Sequence, residues 1–110
     1  MRYGLKQSTI DLINGVLVNY PAVEKVILYG SRAKGTYRNG SDIDLTIKGG
    51  RVKIEDLFRI KSEFDDFLLP YDIDLSVYDK INHAGLIDHI DHSGMLFYER
   101  LASHTNSEKI

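Results

Sequence analysis

The stretch that most constrains this chain is residues 28–47, LYGSRAKGTYRNGSDIDLTI. An apolar run, Val26, Ile27, Leu28 and Tyr29, stops at Gly30, as buried strands stop at turns. A second run, from Asp42 to Ile47, alternates polar and apolar side chains, the period of a strand with one face in a core. Gly35 and the Asn39-Gly40 pair punctuate the segment between them, so it breaks and turns. Any fold for this chain must therefore hold two strands at the two ends of one glycine-broken loop.

That loop has a chemical character. Gly30 admits close approach of a ligand to the main chain. Ser31 reads as the N-cap of a short helix begun by the SRAK stretch. Free N–H groups and partial positive charge at a helix start suit phosphate. Arg32, Lys34 and Arg38 add positive charge, and no acidic residue falls between Ser31 and Ser41. After ten intervening residues Ser31 is followed by Asp42 and Asp44, two apart on a strand and so on one face, roughly 7 Å from each other at the backbone. Two carboxylates that close repel unless a cation binds between them, and Mg²⁺ prefers such oxygens together with phosphate and water. Gly30, Ser31, Asp42 and Asp44 thus read as a site for the phosphates of a nucleotide with divalent metal.

The rest of the chain supplies a frame. Residues 8–20 are expected as a helix capped by Ser8, with Asp11 as a weak capping-box partner and Ile10, Ile13, Val16, Leu17 and Tyr20 as its apolar stripe, ended by Pro21. Strands are expected over 23–29, 42–47 and 71–77. A long helix is expected over 53–69, with Ile54, Leu57, Phe58, Phe64 and Leu68 on one stripe, Ile60 and Phe67 off it, and Pro70 as its stop. In the third strand, YDIDLSV, Ile73, Leu75 and Val77 face one way and Asp72, Asp74 and Ser76 the other. A third carboxylate joins Asp42 and Asp44 if these strands are neighbours, and Asp72 and Asp74 both have the parity for it. Asn82 is expected to cap a helix to about His92, burying Leu86, Ile87 and Ile90. His89 and His92 have a spacing that permits metal, but no third ligand is evident, and a solvated polar face is the expected reading. Residues 95–100 read as a short strand or helix end.

Composition narrows the classes. At 110 residues and 43% hydrophobic content, one domain with a true core is expected over residues 1–101, followed by a disordered tail at 102–110. A net charge of −2 argues against stand-alone nucleic-acid binding. The charge is uneven: the 31–41 loop is basic, while residues 64–94 hold seven aspartates against one lysine, Lys80. With no cysteine there is neither a disulfide framework nor a thiolate metal site. No apolar run resembles a signal peptide or a membrane span, so a cytoplasmic protein is expected.

The GSRAKGTYRNGSDIDL segment resembles the signature of the nucleotidyltransferase superfamily that includes DNA polymerase beta. It is most similar to the minimal nucleotidyltransferase (MNT) family, whose pattern G-S-R-A-x-G-x5-S-D-[ILV]-D-L is met from Gly30 to Leu45. The resemblance implies an α/β nucleotidyltransferase fold, a small mixed sheet of three to four strands with helices on one face. It implies transfer of a nucleoside monophosphate, AMP from ATP, to a hydroxyl with two Mg²⁺ ions. Asp42 and Asp44 would bind both metals; Asp74, which precedes a leucine as the family's third acid does, would bind the metal that activates the hydroxyl. Gly30, Ser31 and Arg32 would hold the triphosphate. MNT proteins pair with all-helical HEPN proteins as antitoxin and toxin, so the acceptor implied is a tyrosine of a HEPN partner in a hetero-oligomer, with self-association open. Two alternatives are a non-catalytic subunit that neutralises its partner by contact, and a small-molecule nucleotidyltransferase. The second is disfavoured by the lack of room for an acceptor domain.

Overall fold

A computed structural model describes residues 1–101, and the expected tail at 102–110 lies outside the described residues. In chain order the elements are α1 (Gln7–Leu17), β1 (Lys25–Tyr29), α2 (Ser31–Lys34), β2 (Ile43–Lys48), α3 (Ile54–Asp66), β3 (Ile73–Val77), a single 3-10 turn (Tyr78–Lys80), α4 (Ala84–Ser93) and β4 (Met95–Glu99). The four strands form one mixed sheet in the order β3-β2-β1-β4. β1 runs antiparallel to β2 and β4, and β2 runs parallel to β3. A parallel pair needs a crossover, and α3 provides it.

One sheet face, with Val26, Leu28, Ile43, Leu45, Ile47, Leu75 and Val77, packs against α1 and α3 to form the core. Ile10, Ile13, Val16 and Leu17 of α1 and Leu57, Ile60 and Phe64 of α3 close it from the helix side. The other face carries Ile27, Tyr29, Asp44, Thr46, Asp74 and Ser76, and α4 packs there against β1. There a Cβ on Gly94 would come within 2.6 Å of Ile27 Cγ2, and the His89 ring stands edge-on to Tyr29. The end of this face over β2 and β3 stays uncovered by α1 and α3.

Several local expectations are corrected. Ser8 is inside α1 rather than its cap; Lys6 holds that position, and Asp11 accepts from Gln7 Nε2 at 2.9 Å instead. Tyr20 lies past the helix and donates its hydroxyl to Glu63. The stripe of α3 is rotated from the expected one: Ile60 is fully buried, while Ile54 and Phe58 are 47% and 61% exposed. Leu57, Ile60 and Phe64 share one face at i, i+3 and i+7, and the sheet takes that face. Pro70 does not end α3, because the chain already leaves it through Leu68 in the left-handed region, φ 53. His83, not Asn82, caps α4, its Nδ1 accepting from the Leu86 N–H at 3.0 Å. Residues 95–99 form a strand. Among the described residues no helix is long and apolar enough to cross a membrane.

Candidate active site

The site begins where β1 ends. Gly30 has φ 77 and ψ −155, a combination open only to glycine. A Cβ there would also sit 2.3 Å from Asp44 Oδ2, so the missing side chain is the space the carboxylate occupies. Gly30, rather than Ser31, is the N-cap of α2. Ser31 is the first helical residue, and among the described residues its hydroxyl has no hydrogen-bond partner. The N–H groups that open α2 have no acceptor within the helix.

The basic loop is braced from within. Arg32 is only 3% exposed. Its Nε and Nη2 donate to the Ser41 carbonyl at 3.1 and 2.8 Å, and its Nη1 donates to the Tyr3 carbonyl at 2.9 Å. The Tyr37 and Tyr71 rings lie 5.3 and 4.7 Å from the guanidinium carbon. The arginine therefore joins the start of α2 to the residue before the D-x-D segment, with its fork spent on main-chain carbonyls. Tyr3 and Gly4, at φ 59 and 73, form a tight turn closed by mutual hydrogen bonds between Arg2 and Leu5. Tyr37 rests against that turn, where a Cβ on Gly4 would be 2.3 Å from its ring.

The carboxylates come from two neighbouring strands. In the parallel pairing Asp44 is the register partner of Asp74, about 4.8 Å away across the ladder. Asp42 precedes β2 by one residue and shares the parity of Asp44. Desolvation beside the turn pushes the Asp44 carboxyl above its ordinary value; Asp74 and then Asp42 push it further, and His89 opposes. Asp72 precedes β3, and its carbonyl accepts from the Ile43 N–H at 2.9 Å. Among the described residues the ion pairs are Lys25–Glu99 and Asp88–His92, so no basic side chain neutralises the three acids. No three His, Asp or Glu side chains of the described residues come together closely enough to hold an ion unaided. Below the acids, Ser76 Oγ donates to Thr46 Oγ1 at 2.9 Å. Tyr29 is buried beside them, and that burial raises its hydroxyl, with Asp74 and Asp44 adding and Ser76 opposing.

The two histidines of α4 part company. His92 Nδ1 lies 3.2 Å from the Asp88 carboxylate at the surface. His89 Nε2 accepts the Gly30 N–H at 3.1 Å. Sequence reasoning noticed His89 but not this contact, because 59 residues separate the partners and no local pattern links them.

Residues 11–102 match the family described as Polymerase beta, Nucleotidyltransferase. A solved structure described as a toxin-antitoxin with AMP-PNP superposes with a TM-score of 0.66 at 18% identity, covering 93% of this chain and 80% of that one. A toxin-antitoxin MntA-HepT structure gives 0.63 at 16% identity, covering 92% and 79%. A tri-AMPylated Shewanella oneidensis HEPN toxin in complex with MNT antitoxin gives 0.64 at 15% identity, covering 93% and 79%. At such identities the likeness is one of fold. No curated protein matches the chain.

Proposed function

This chain belongs to the polymerase beta nucleotidyltransferase family, and on that premise we propose that it transfers AMP from ATP to a hydroxyl, a tyrosine of a HEPN partner, as the antitoxin of a toxin–antitoxin pair. The observation that carries the reading is the register of Asp44 opposite Asp74, beside a turn that only glycine can make. The reading extends to a cytoplasmic hetero-oligomer, and the likeness in fold to an MNT antitoxin in complex with a HEPN toxin supports the partner.

The donor chemistry suits magnesium, since Asp42, Asp44 and Asp74 offer carboxylate oxygens, but among the described residues they do not form a closed metal group by themselves. Phosphate oxygens would supply the missing ligands, which ties metal binding to nucleotide binding. Asp42 and Asp44 would hold both ions, and Asp74 the one nearer the acceptor. Two such ions, when bound, contribute positive charge at the attacking and leaving oxygens.

The chain's own residues do the remainder. Gly30 would let the triphosphate approach the main chain beside Asp44, and the Ser31 hydroxyl, without a hydrogen-bond partner among the described residues, would donate to a phosphate oxygen. Asp74, exposed on the edge strand, would meet the acceptor and take its proton. We assign Arg32 to holding the loop in place for the triphosphate rather than to touching it, since its donors serve Ser41 and Tyr3. The attacking hydroxyl oxygen bonds to the α-phosphorus, the bond to the bridging oxygen breaks, and pyrophosphate leaves.

The test is incubation with Mg²⁺, α-labelled ATP and a HEPN partner encoded beside this chain. Label on a partner tyrosine that vanishes with Asp44→Asn is the expected result. A stable but unlabelled complex would instead indicate neutralisation by contact alone.

A further inference from the structure

We infer that His89 is a positioning residue for the glycine-serine turn: by accepting the Gly30 N–H it holds the peptide that aims Ser31 at the triphosphate. The inference rests on the nucleotidyl-transfer reading and names a residue that reading had not used.

Gly30 is where the turn is least determined by its own chain. β1 pairs with β2 as far as Tyr29 opposite Asp44, and with β4 only as far as Leu28 opposite Met95. The Gly30 N–H thus lies beyond the last rung of both ladders. A residue without a Cβ has broad conformational freedom, so the orientation of its peptide must be set from outside. Two contacts do this. The Asp44 carboxylate fills the space where a side chain would be, and His89 Nε2 receives the N–H at 3.1 Å. The first cannot fix the peptide once the carboxylate turns toward a ligand; the second can, because it comes from α4 and not from the site's acids.

The histidine is itself well held. Its ring is T-shaped against Tyr29, with centroids 6.2 Å apart and planes at 78°. Its helix is seated on β1 where Gly94 meets Ile27. An Nε2 that accepts leaves the ring N–H on Nδ1. The other role open to this residue, a metal pair with His92, is not formed, since His92 is turned to Asp88. The Gly30 N–H is accordingly spent on the protein, and the phosphate contacts fall to Ser31 and the amides after it.

The experiment compares wild type, His89→Phe, His89→Ala and His89→Gln by calorimetric titration with magnesium and AMP-PNP, by the Gly30 amide resonance in ¹⁵N-labelled protein, and by thermal unfolding without ligand. Phenylalanine keeps a ring against Tyr29 and removes the acceptor; glutamine restores an acceptor oxygen near the Nε2 position. His89→Phe and His89→Ala should weaken nucleotide binding about tenfold, the worth of one such hydrogen bond, and displace the Gly30 resonance. His89→Gln should bind within about threefold of wild type. Should His89→Ala fail to fold, the phenylalanine and glutamine pair carries the comparison. Unchanged affinity in His89→Phe, or a His89→Gln as weak as His89→Phe, overturns the inference while leaving the site's reading intact. Absence of binding by the wild type overturns both.

Discussion

At the scale of single residues, the site is held by two mutually dependent choices, a glycine and the carboxylate that takes its side-chain space. Gly30→Ala meets a forbidden backbone region and Asp44 Oδ2 at once. The expected cost is about 1–3 kcal/mol in urea unfolding, with nucleotide binding lost. Asp44 carries the opposite kind of strain. Its folded carboxyl is raised above the ordinary 3.8, so the folded state binds the proton more tightly than the unfolded state does. Stability contributed by Asp44 is therefore lost as pH rises from 3.8 through the raised value, and the carboxylate is a net burden at neutral pH. Asp44→Asn should raise the metal-free melting temperature at pH 7, and the gain should shrink toward pH 3.8; a destabilised variant at pH 7 would contradict this. For the third acid, Asp74→Asn should lower AMP transfer by roughly a hundredfold or more, whereas Asp72→Asn should stay near wild type, because Asp74 rather than Asp72 is the register partner of Asp44. Steady-state transfer assays on the two variants decide it.

Among elements, the basic loop behaves as a strap rather than a loose segment. Arg32, 3% exposed, spans from α2 to the Ser41 carbonyl and to the Tyr3 turn, with Tyr37 and Tyr71 beside its guanidinium. A lysine keeps the charge but cannot reproduce a fork that bonds two carbonyls at once. Arg32→Lys should thus destabilise the fold by about 2–4 kcal/mol and open residues 35–41 to limited proteolysis. Protease resistance equal to wild type would show that the loop is held by other means. Tyr3 pays a small backbone strain at φ 59 for presenting its carbonyl to this arginine. The same arrangement explains why an arginine that reads as a phosphate ligand in sequence is internal in the structure.

For the whole molecule, the sheet divides the labour: α1 and α3 bury one face as core, and the other face carries three acids that form no ion pair among the described residues. Metal and nucleotide should then stabilise the fold together far more than either alone. At a ligand concentration of a hundred times Kd the gain is about 2.7 kcal/mol, a shift of several degrees in melting temperature. Thermal unfolding with Mg²⁺, with ATP, and with both checks this; equal shifts from ATP with and without Mg²⁺ would remove metal from the site.

What the sequence by itself determined is local and periodic. The strand alternation of SDIDLTI and YDIDLSV placed the acids on one face and the apolar residues on the other, because a strand's period of two leaves no other arrangement. The glycine at position 30 declared the turn. What only the tertiary structure decided is which neighbours those residues meet. Parallel pairing set Asp74 beside Asp44, the sheet chose the Ile60 face of α3 over the Phe58 face, Ser41 and Tyr3 drew Arg32 inward, and α4 returned to put His89 on Gly30. Each of these joins segments far apart in the chain, and their distances follow from packing one core, which no local pattern encodes.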